Sequence, residues 1–258
     1  IAYALRILKN CGLPCEGITT PGGFGNLVKS ELSLAVFEAV RDVFGAEIPH
    51  YFKYIVGAGE STQPQLEHVR GLGTDDVRLT VNVVAGTGDW LGGWEGSREP
   101  EPDRYAAADA SSGRVVELID QGEPAIFFAH WPGLYCNGTK TGLTAFQRVV
   151  TTLEAEFRDR TVWMKLSEIA RYWAAKGLTA IDRDGPTLTL SAPFACPAFT
   201  LRIENASQQP PQVQAAGKDV PLREVREARQ LEAGTWRTQE TAIDLCFDLP
   251  RGRTTIRL

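Results

Sequence analysis

Apolar residues recur on one helical face at Val28, Leu32, Ala35, Val36, Ala39, Val40, Val43 and Phe44, and again at Leu143, Phe146, Val149, Val150, Leu153 and Phe157. This spacing predicts two amphipathic helices, one capped by Asn26 and stopped at Gly45, the other over residues 141–159. A shorter helix is expected over residues 1–10, stopped by Gly12. Another is expected from its cap Ser167 to Lys176, closed by Gly177. Val77, Leu79, Val81 and Val83 alternate with other residues as strand positions do, and residues 15–19 and 50–56 also read as strands. The unbroken run Pro124-Ala125-Ile126-Phe127-Phe128-Ala129 after Glu123 reads as a strand buried on both faces, and residues 161–166 as another. Residues 57–73 and 92–102 are polar and glycine-bearing, and are expected as loops. Residues 115–121 read as the end of a helix.

Strands alternating with helices predict an α/β fold, either a parallel sheet or a partial (β/α) barrel. The texture changes near Asp184. Short period-two runs such as Leu188-Thr189-Leu190, residues 199–203 and residues 243–249 follow, punctuated by proline and glycine. They predict a small antiparallel β-sandwich-like domain. The expected division is an α/β domain over residues 1–180 and a β domain over 184–258. The chain begins at Ile1 inside a helix, and the α/β units are too few to close an eight-stranded barrel. Earlier elements are therefore expected ahead of it in an intact protein.

Composition narrows the function classes. The 258 residues carry a net charge of −5 and no block of Lys or Arg, which argues against nucleic acid as a partner. No run of about 18 apolar residues exists, so no membrane span is expected. The five cysteines are scattered, and Cys11 and Cys15 miss the Cys-x-x-Cys spacing of a redox or zinc motif. Asn137-Gly138-Thr139 and Asn205-Ala206-Ser207 match the glycosylation triplet.

With only three histidines in the chain, neutral-pH proton chemistry has few seats, and His130 stands at the C-terminal end of an expected strand. In an α/β fold three loops converge there: Thr20-Pro21-Gly22-Gly23, Gly86-Thr87-Gly88-Asp89-Trp90 and His130-Trp131-Pro132-Gly133. They bring a carboxylate, an imidazole and the indoles of Trp90, Trp94 and Trp131 to one cleft. A carboxylate bonded to one ring nitrogen fixes the histidine tautomer and frees the other nitrogen as a general acid. The competing structural readings are a packed histidine, a turn-capping aspartate and core tryptophans.

The order of these motifs resembles that of the polysaccharide deacetylases over about residues 1–177. That family's Arg-x-Pro-x-Gly motif is matched by Thr19-Thr20-Pro21-Gly22-Gly23, with Thr19 in place of arginine. Its Asp-Trp pair is matched by Asp89-Trp90, and its strand-end histidine by Phe128-Ala129-His130. Val162-Trp163-Met164 followed by Ser167-Glu168-Ile169 is similar to the family's closing strand and helix. The resemblance implies a hydrolase that removes N-acetyl groups from a sugar or polysaccharide. It makes His130 the acid to the leaving amine and Asp89 its orienter, with Pro21, Gly22, Trp90, Trp131 and Tyr135 contacting a carbohydrate substrate. The family's metal ligands lie in an Asp pair and a His-x-x-x-His, which this chain lacks. No cofactor is therefore supported by these residues, and a divalent ion such as zinc is expected only if residues ahead of Ile1 supply its ligands. The alternative reading is a non-catalytic glycan-binding or scaffolding α/β module.

Overall fold

The computed structural model describes residues 1–19, 29–204 and 209–258, and for Lys29 and Ser30 the backbone alone. The Thr20-Pro21-Gly22-Gly23 loop, the Asn26 cap, Val28 and the Asn205 triplet lie outside the described residues.

The chain runs α1 (Ala2–Asn10), β1 (Gly17–Thr19), α2 (Lys29–Phe44), β2 (His50–Ile55), β3 (Gln65–Arg70), β4 (Arg78–Ala85), α3 (Arg114–Asp120), α4 (Trp131–Tyr135), α5 (Thr141–Phe157) and α6 (Leu166–Leu178). It continues through β5 (Ala180–Asp184), β6 (Thr187–Ala192), β7 (Cys196–Glu204), β8 (Gln212–Ala215), β9 (Lys218–Val220), β10 (Arg223–Glu224), β11 (Thr235–Gln239), β12 (Ala242–Leu249) and β13 (Gly252–Arg257). The fold is mixed α/β, with three sheets among the described residues, none of them closed into a barrel. No helix among the described residues is long and apolar enough to cross a membrane.

The first sheet has the order β1-β2-β4-β3. Its first three strands are parallel, with His50 opposite Gly17 on one side and Val81 on the other. β4 forms where its sequence predicts a strand, but its burial does not alternate, since every residue from Leu79 to Ala85 is buried. Leu79, Val81 and Val83 pack with Ala170 and Ala174 of α6. On another core, Leu32, Val36 and Val40 of α2 pack with Leu5 of α1 and Tyr51 of β2.

Four sequence expectations are corrected here, and the first two corrections are linked. Residues 65–70 are a strand rather than loop, pairing antiparallel with β4. Their alternation is hidden by His68, which sits at φ 54 inside a register irregularity between Glu67 and Arg70. A bulge of this kind inserts an extra residue and shifts the period. Because β3 occupies that edge of β4, residues 123–129 cannot pair along it and form no strand; a single backbone bond, Gly86 N to Ile126 O at 2.8 Å, joins them to the sheet end. Pro124 brings no N–H, and its carbonyl accepts from Ile126 N at 3.1 Å, which folds the run back locally. Residues 161–165 likewise form no strand, and the side chains of Val162, Trp163 and Met164 stay exposed. The start of α6 also differs from expectation. Lys165, not Ser167, stands at the cap, its N–H held by Glu168 Oε2 at 2.7 Å.

The other two sheets, β10-β11-β12-β7 and β5-β6-β13-β8-β9, share one core in which Leu188, Leu190 and Ile256 meet Phe199, Leu245 and Phe247. Helix α6 serves both halves of the chain, giving Ala170 and Ala174 to the parallel sheet and Tyr172 and Ala175 to the β core. Alanine on both faces lets the helix approach each layer closely.

His50 is buried at the start of β2, and burial pushes its imidazole below the ordinary histidine range, with the Glu16 charge and a hydrogen bond from the ring to the Ile48 backbone opposing the shift. The folded state therefore keeps this ring neutral at a pH where the unfolded chain takes up a proton. The stability it contributes is complete above pH of about 6.5 and is lost as pH falls below that value. Urea midpoints measured at pH 7 and pH 5 should fall less for His50→Gln than for the parent; equal falls would discount His50 as the source.

Candidate functional site

The C-terminal end of β4 leads into Gly86-Thr87-Gly88-Asp89, and the extended segment after α3 brings His130 beside it. Asp89 Oδ2 accepts two hydrogen bonds from one residue, from His130 N at 3.0 Å and from Nδ1 at 2.7 Å. Its Oδ1 accepts from Leu91 N at 3.1 Å. The carboxylate thus shapes its own turn and grips the histidine at the same time, uniting the two readings of Asp89 as turn cap and as orienter. Its side chain is 7% exposed, against 34% for that of His130. With Nδ1 engaged, Nε2 is the ring nitrogen left without a hydrogen bond among the described residues. The imidazole is further fixed by Phe128, 5.4 Å away at 78°, and by Trp94, 5.1 Å away at 84°, both in edge contact.

Two clamps hold the loops that carry this pair. Arg114, buried in the first turn of α3, donates from Nε to Gly86 O at 3.2 Å, and from Nη2 to Gly57 O at 3.1 Å and Glu60 O at 3.2 Å. It thereby ties the loop after β2 to the loop after β4. Glu123 accepts from Ser61 Oγ at 2.9 Å, Thr62 N at 2.9 Å and Gln63 Nε2 at 3.3 Å. Desolvation alone would raise its carboxyl, but the bonds from Ser61, Thr62 and Gln63 outweigh it and hold the carboxyl below the usual range. Neither clamp was read as a site residue from sequence. The available signal was a charge inside the apolar starts Arg114-Val115-Val116 and Glu123-Pro124-Ala125.

The aromatic residues sort differently from the sequence reading. Trp90 does not face the imidazole; it is packed against Tyr105, 4.8 Å between rings, and the Arg104 guanidinium lies 4.2 Å over it. Tyr105 OH accepts from Trp90 N at 2.7 Å and donates to Gly88 O at 2.9 Å, so this ring pair braces the Asp89 turn. Burial pushes the Tyr105 phenol above its ordinary range, keeping it a protonated donor. Trp131 and Tyr135 stand on α4 and are 73% and 53% exposed. Trp94, outside the motif that carries Trp90, is the indole that touches His130. Pro21 and Gly22 lie outside the described residues. Cys136 is buried and donates from Sγ to Gly133 O at 2.6 Å, a packing role.

A cavity of about 600 Å³ opens between residues 122–127 and 160–166, walled by Phe127, Phe146, Trp163 and Trp173. Neither Asp89 nor His130 lines it.

The site also depends on backbone contact between α4, the start of α5 and the Asp89 loop. A Cβ on Gly142 would lie 2.1 Å from both Gly133 O and Leu91 O, and neither carbonyl can swing aside as a side chain does. Gly142→Ala should therefore lower stability by about 1–3 kcal/mol or more and shift the His130 ring signals in NMR. Parental stability and unmoved ring signals would show that the contact relaxes freely.

Compared with models of protein families, with curated proteins and with solved structures, the chain finds no match.

Proposed function

We propose that the α/β part of this chain is a partial (β/α) barrel of the polysaccharide deacetylase type, and that Asp89 and His130 are the proton-donating half of a hydrolase acting on acetylated sugars. The observation that carries the reading is the pair of hydrogen bonds from His130 to Asp89 Oδ2 beyond the C-terminal end of a parallel strand. This arrangement holds Nδ1–H toward the carboxylate and leaves Nε2 to exchange a proton with a substrate. Once water has added to the acetyl carbon, Nε2 of the imidazolium donates its proton to the nitrogen as the C–N bond breaks, so the acetyl carbon leaves with the water oxygen as acetate and the sugar nitrogen leaves as an amine. The ring returns to the neutral Nδ1–H tautomer, and Asp89 stays ionised throughout.

Acetyl hydrolysis also needs an activated water. The resemblance assigns that work to a divalent ion and an aspartate. The dyad offers an ion one open ligand atom, His130 Nε2, because Nδ1 is held by Asp89 and both Asp89 oxygens already accept hydrogen bonds. No group of three metal-ligating side chains is gathered among the described residues. No step is therefore derived through an ion, and the role of the dyad is confined to the proton on the leaving nitrogen.

A second reading, a glycan-binding module without catalysis, is favoured by the exposed rings of Trp94, which contacts His130, and of Trp131 and Tyr135 on α4. One assay separates the two. The full-length gene product carrying residues 1–258 is incubated with tri-N-acetylchitotriose, with and without added zinc, and free amine is measured. Amine release is expected. Binding of the oligosaccharide with no amine release under either condition would replace the hydrolase with the glycan-binding module.

A further inference from the structure

Three indoles lie near the dyad in sequence, and their surroundings divide them. Trp90 has spent its faces on Tyr105 and Arg104. Trp131 is exposed at the first position of α4 and has no ring contact with His130. Trp94 combines the two properties a substrate platform needs: it is 66% exposed, and its ring centroid is 5.1 Å from that of the His130 imidazole.

An exposed indole serves recognition only if it is held in place. The Trp94 loop is held by its backbone. Gly92, at φ +121, approaches α4 so closely that a Cβ there would lie 2.6 Å from Gly133 O. Arg98 N donates to Gly92 O at 3.2 Å, Gly96 N to Gly93 O at 3.3 Å, and Glu101 N to Trp90 O at 2.8 Å, closing the loop on itself. Arg98 and Glu95 pair across it at 3.5 Å. The indole is thus preorganised while remaining solvent-accessible, which is the condition under which a rigid aromatic group binds with little ordering entropy.

We infer that Trp94 is the specificity-determining platform of this site, stacking against the apolar C–H face of the pyranose ring whose acetamido group is presented to His130. The inference rests on the acetylated-sugar reading and adds to it which residue selects the ring. An indole offers a wide apolar face beside a polar centre, and a pyranose with mostly equatorial substituents offers the matching flat C–H surface. A ring lying on Trp94 is brought beside the imidazole by the 5.1 Å spacing of the two rings. An acyclic acetamide has no such face, so Trp94 discriminates sugars from other amides.

The test measures binding of tri-N-acetylchitotriose by calorimetry and by tryptophan fluorescence in the parent, Trp94→Ala and Trp94→Phe, with thermal melts as a check on folding. Trp94→Ala should weaken binding by roughly tenfold or more. Trp94→Phe should restore most of the affinity while losing the ligand-induced change in indole emission, a signature that a merely structural role for Trp94 would not produce. A folded Trp94→Ala protein that binds as tightly as the parent overturns the platform and leaves the acetylated-sugar reading intact. A parent protein that binds no acetylated oligosaccharide overturns both. If Trp94→Ala does not fold, Trp94→Phe decides alone: unchanged affinity together with an unchanged emission response overturns the inference.

Discussion

His130→Gln lowers amine release from tri-N-acetylchitotriose by about 10²–10⁴-fold, the usual span of a positioned general acid, and Asp89→Asn lowers it by on the order of 10² or more. In the parent, Asp89 Oδ2 takes both the backbone N–H and Nδ1 of His130, and Oδ1 takes Leu91 N. Asparagine has one acceptor oxygen and one amide nitrogen to serve three N–H donors. If its oxygen keeps Nδ1–H, the amide nitrogen faces Leu91 N, and donor opposes donor. If it turns to keep Leu91 N, its own N–H₂ meets Nδ1 and selects the other tautomer. In either orientation the charge that stabilises the imidazolium is gone. The loss should fall on kcat with little change in KM, because ring stacking on Trp94 is untouched. The double variant Asp89→Asn/His130→Gln should be no slower than His130→Gln alone, since the two residues act as a unit. Rates are read on the full-length gene product. Asp89→Asn activity within threefold of the parent, or multiplicative losses in the double variant, would mean that the pair does not act on the leaving nitrogen.

The parts of this site that were legible in the sequence are those encoded locally. The chain reversal after His130 was readable from Trp131-Pro132-Gly133, although the structure makes it the first turn of α4, with His130 at the N-cap at φ −95 and ψ 137, where a loop after a strand was expected. Asp89 in a glycine-flanked turn was readable as a residue bonding its own backbone two positions on, which it does at Leu91. The helices were readable because α2, α5 and α6 each carry an apolar face of conventional period.

What was not legible depends on distant partners. Whether Trp90 or Trp94 faces the imidazole is decided by Tyr105, fifteen residues beyond Trp90, whose hydroxyl seizes the Trp90 amide and turns that indole toward the core. Residues 123–129 have the composition of a buried strand, yet β3 took the available edge of β4, and β3 was itself hidden by the positive φ of His68. Strand propensity describes a surface that suits a sheet and not the presence of a free neighbour. Arg114 was the least visible of all, because its acceptors are backbone carbonyls and carry no side-chain signature.

Arg114 therefore supports the second large effect. Arg114→Met keeps an unbranched apolar stem of similar reach but removes every donor, so the fall in stability reports the hydrogen bonds rather than lost packing. Gly86 O is buried at the end of β4 and loses its Nε partner, while Gly57 O and Glu60 O lose a shared Nη2. Glu117, 2.8 Å from Nη1 as an ion pair, is half exposed and recovers in water. Of the three carbonyls, Gly86 O has the least access to replacement solvent and carries the largest penalty. An unsatisfied buried acceptor costs about 1–3 kcal/mol, and bonds to charged donors are at the strong end of the scale. The expected loss is about 2–4 kcal/mol, which in a chain of this size lowers the melting temperature by roughly 5–15 °C. Arg114→Lys should fall between the two, since an ammonium reaches one of these acceptors well but lacks the planar fork that spans both loops. The site should register the change as well: with the loops after β2 and β4 no longer tied together, the Asp89 turn loosens and the His130 ring signals broaden or shift in NMR. Stability of Arg114→Met within about 0.5 kcal/mol of the parent, the ordinary range of a surface substitution, would show that the two loops are held by something other than this guanidinium.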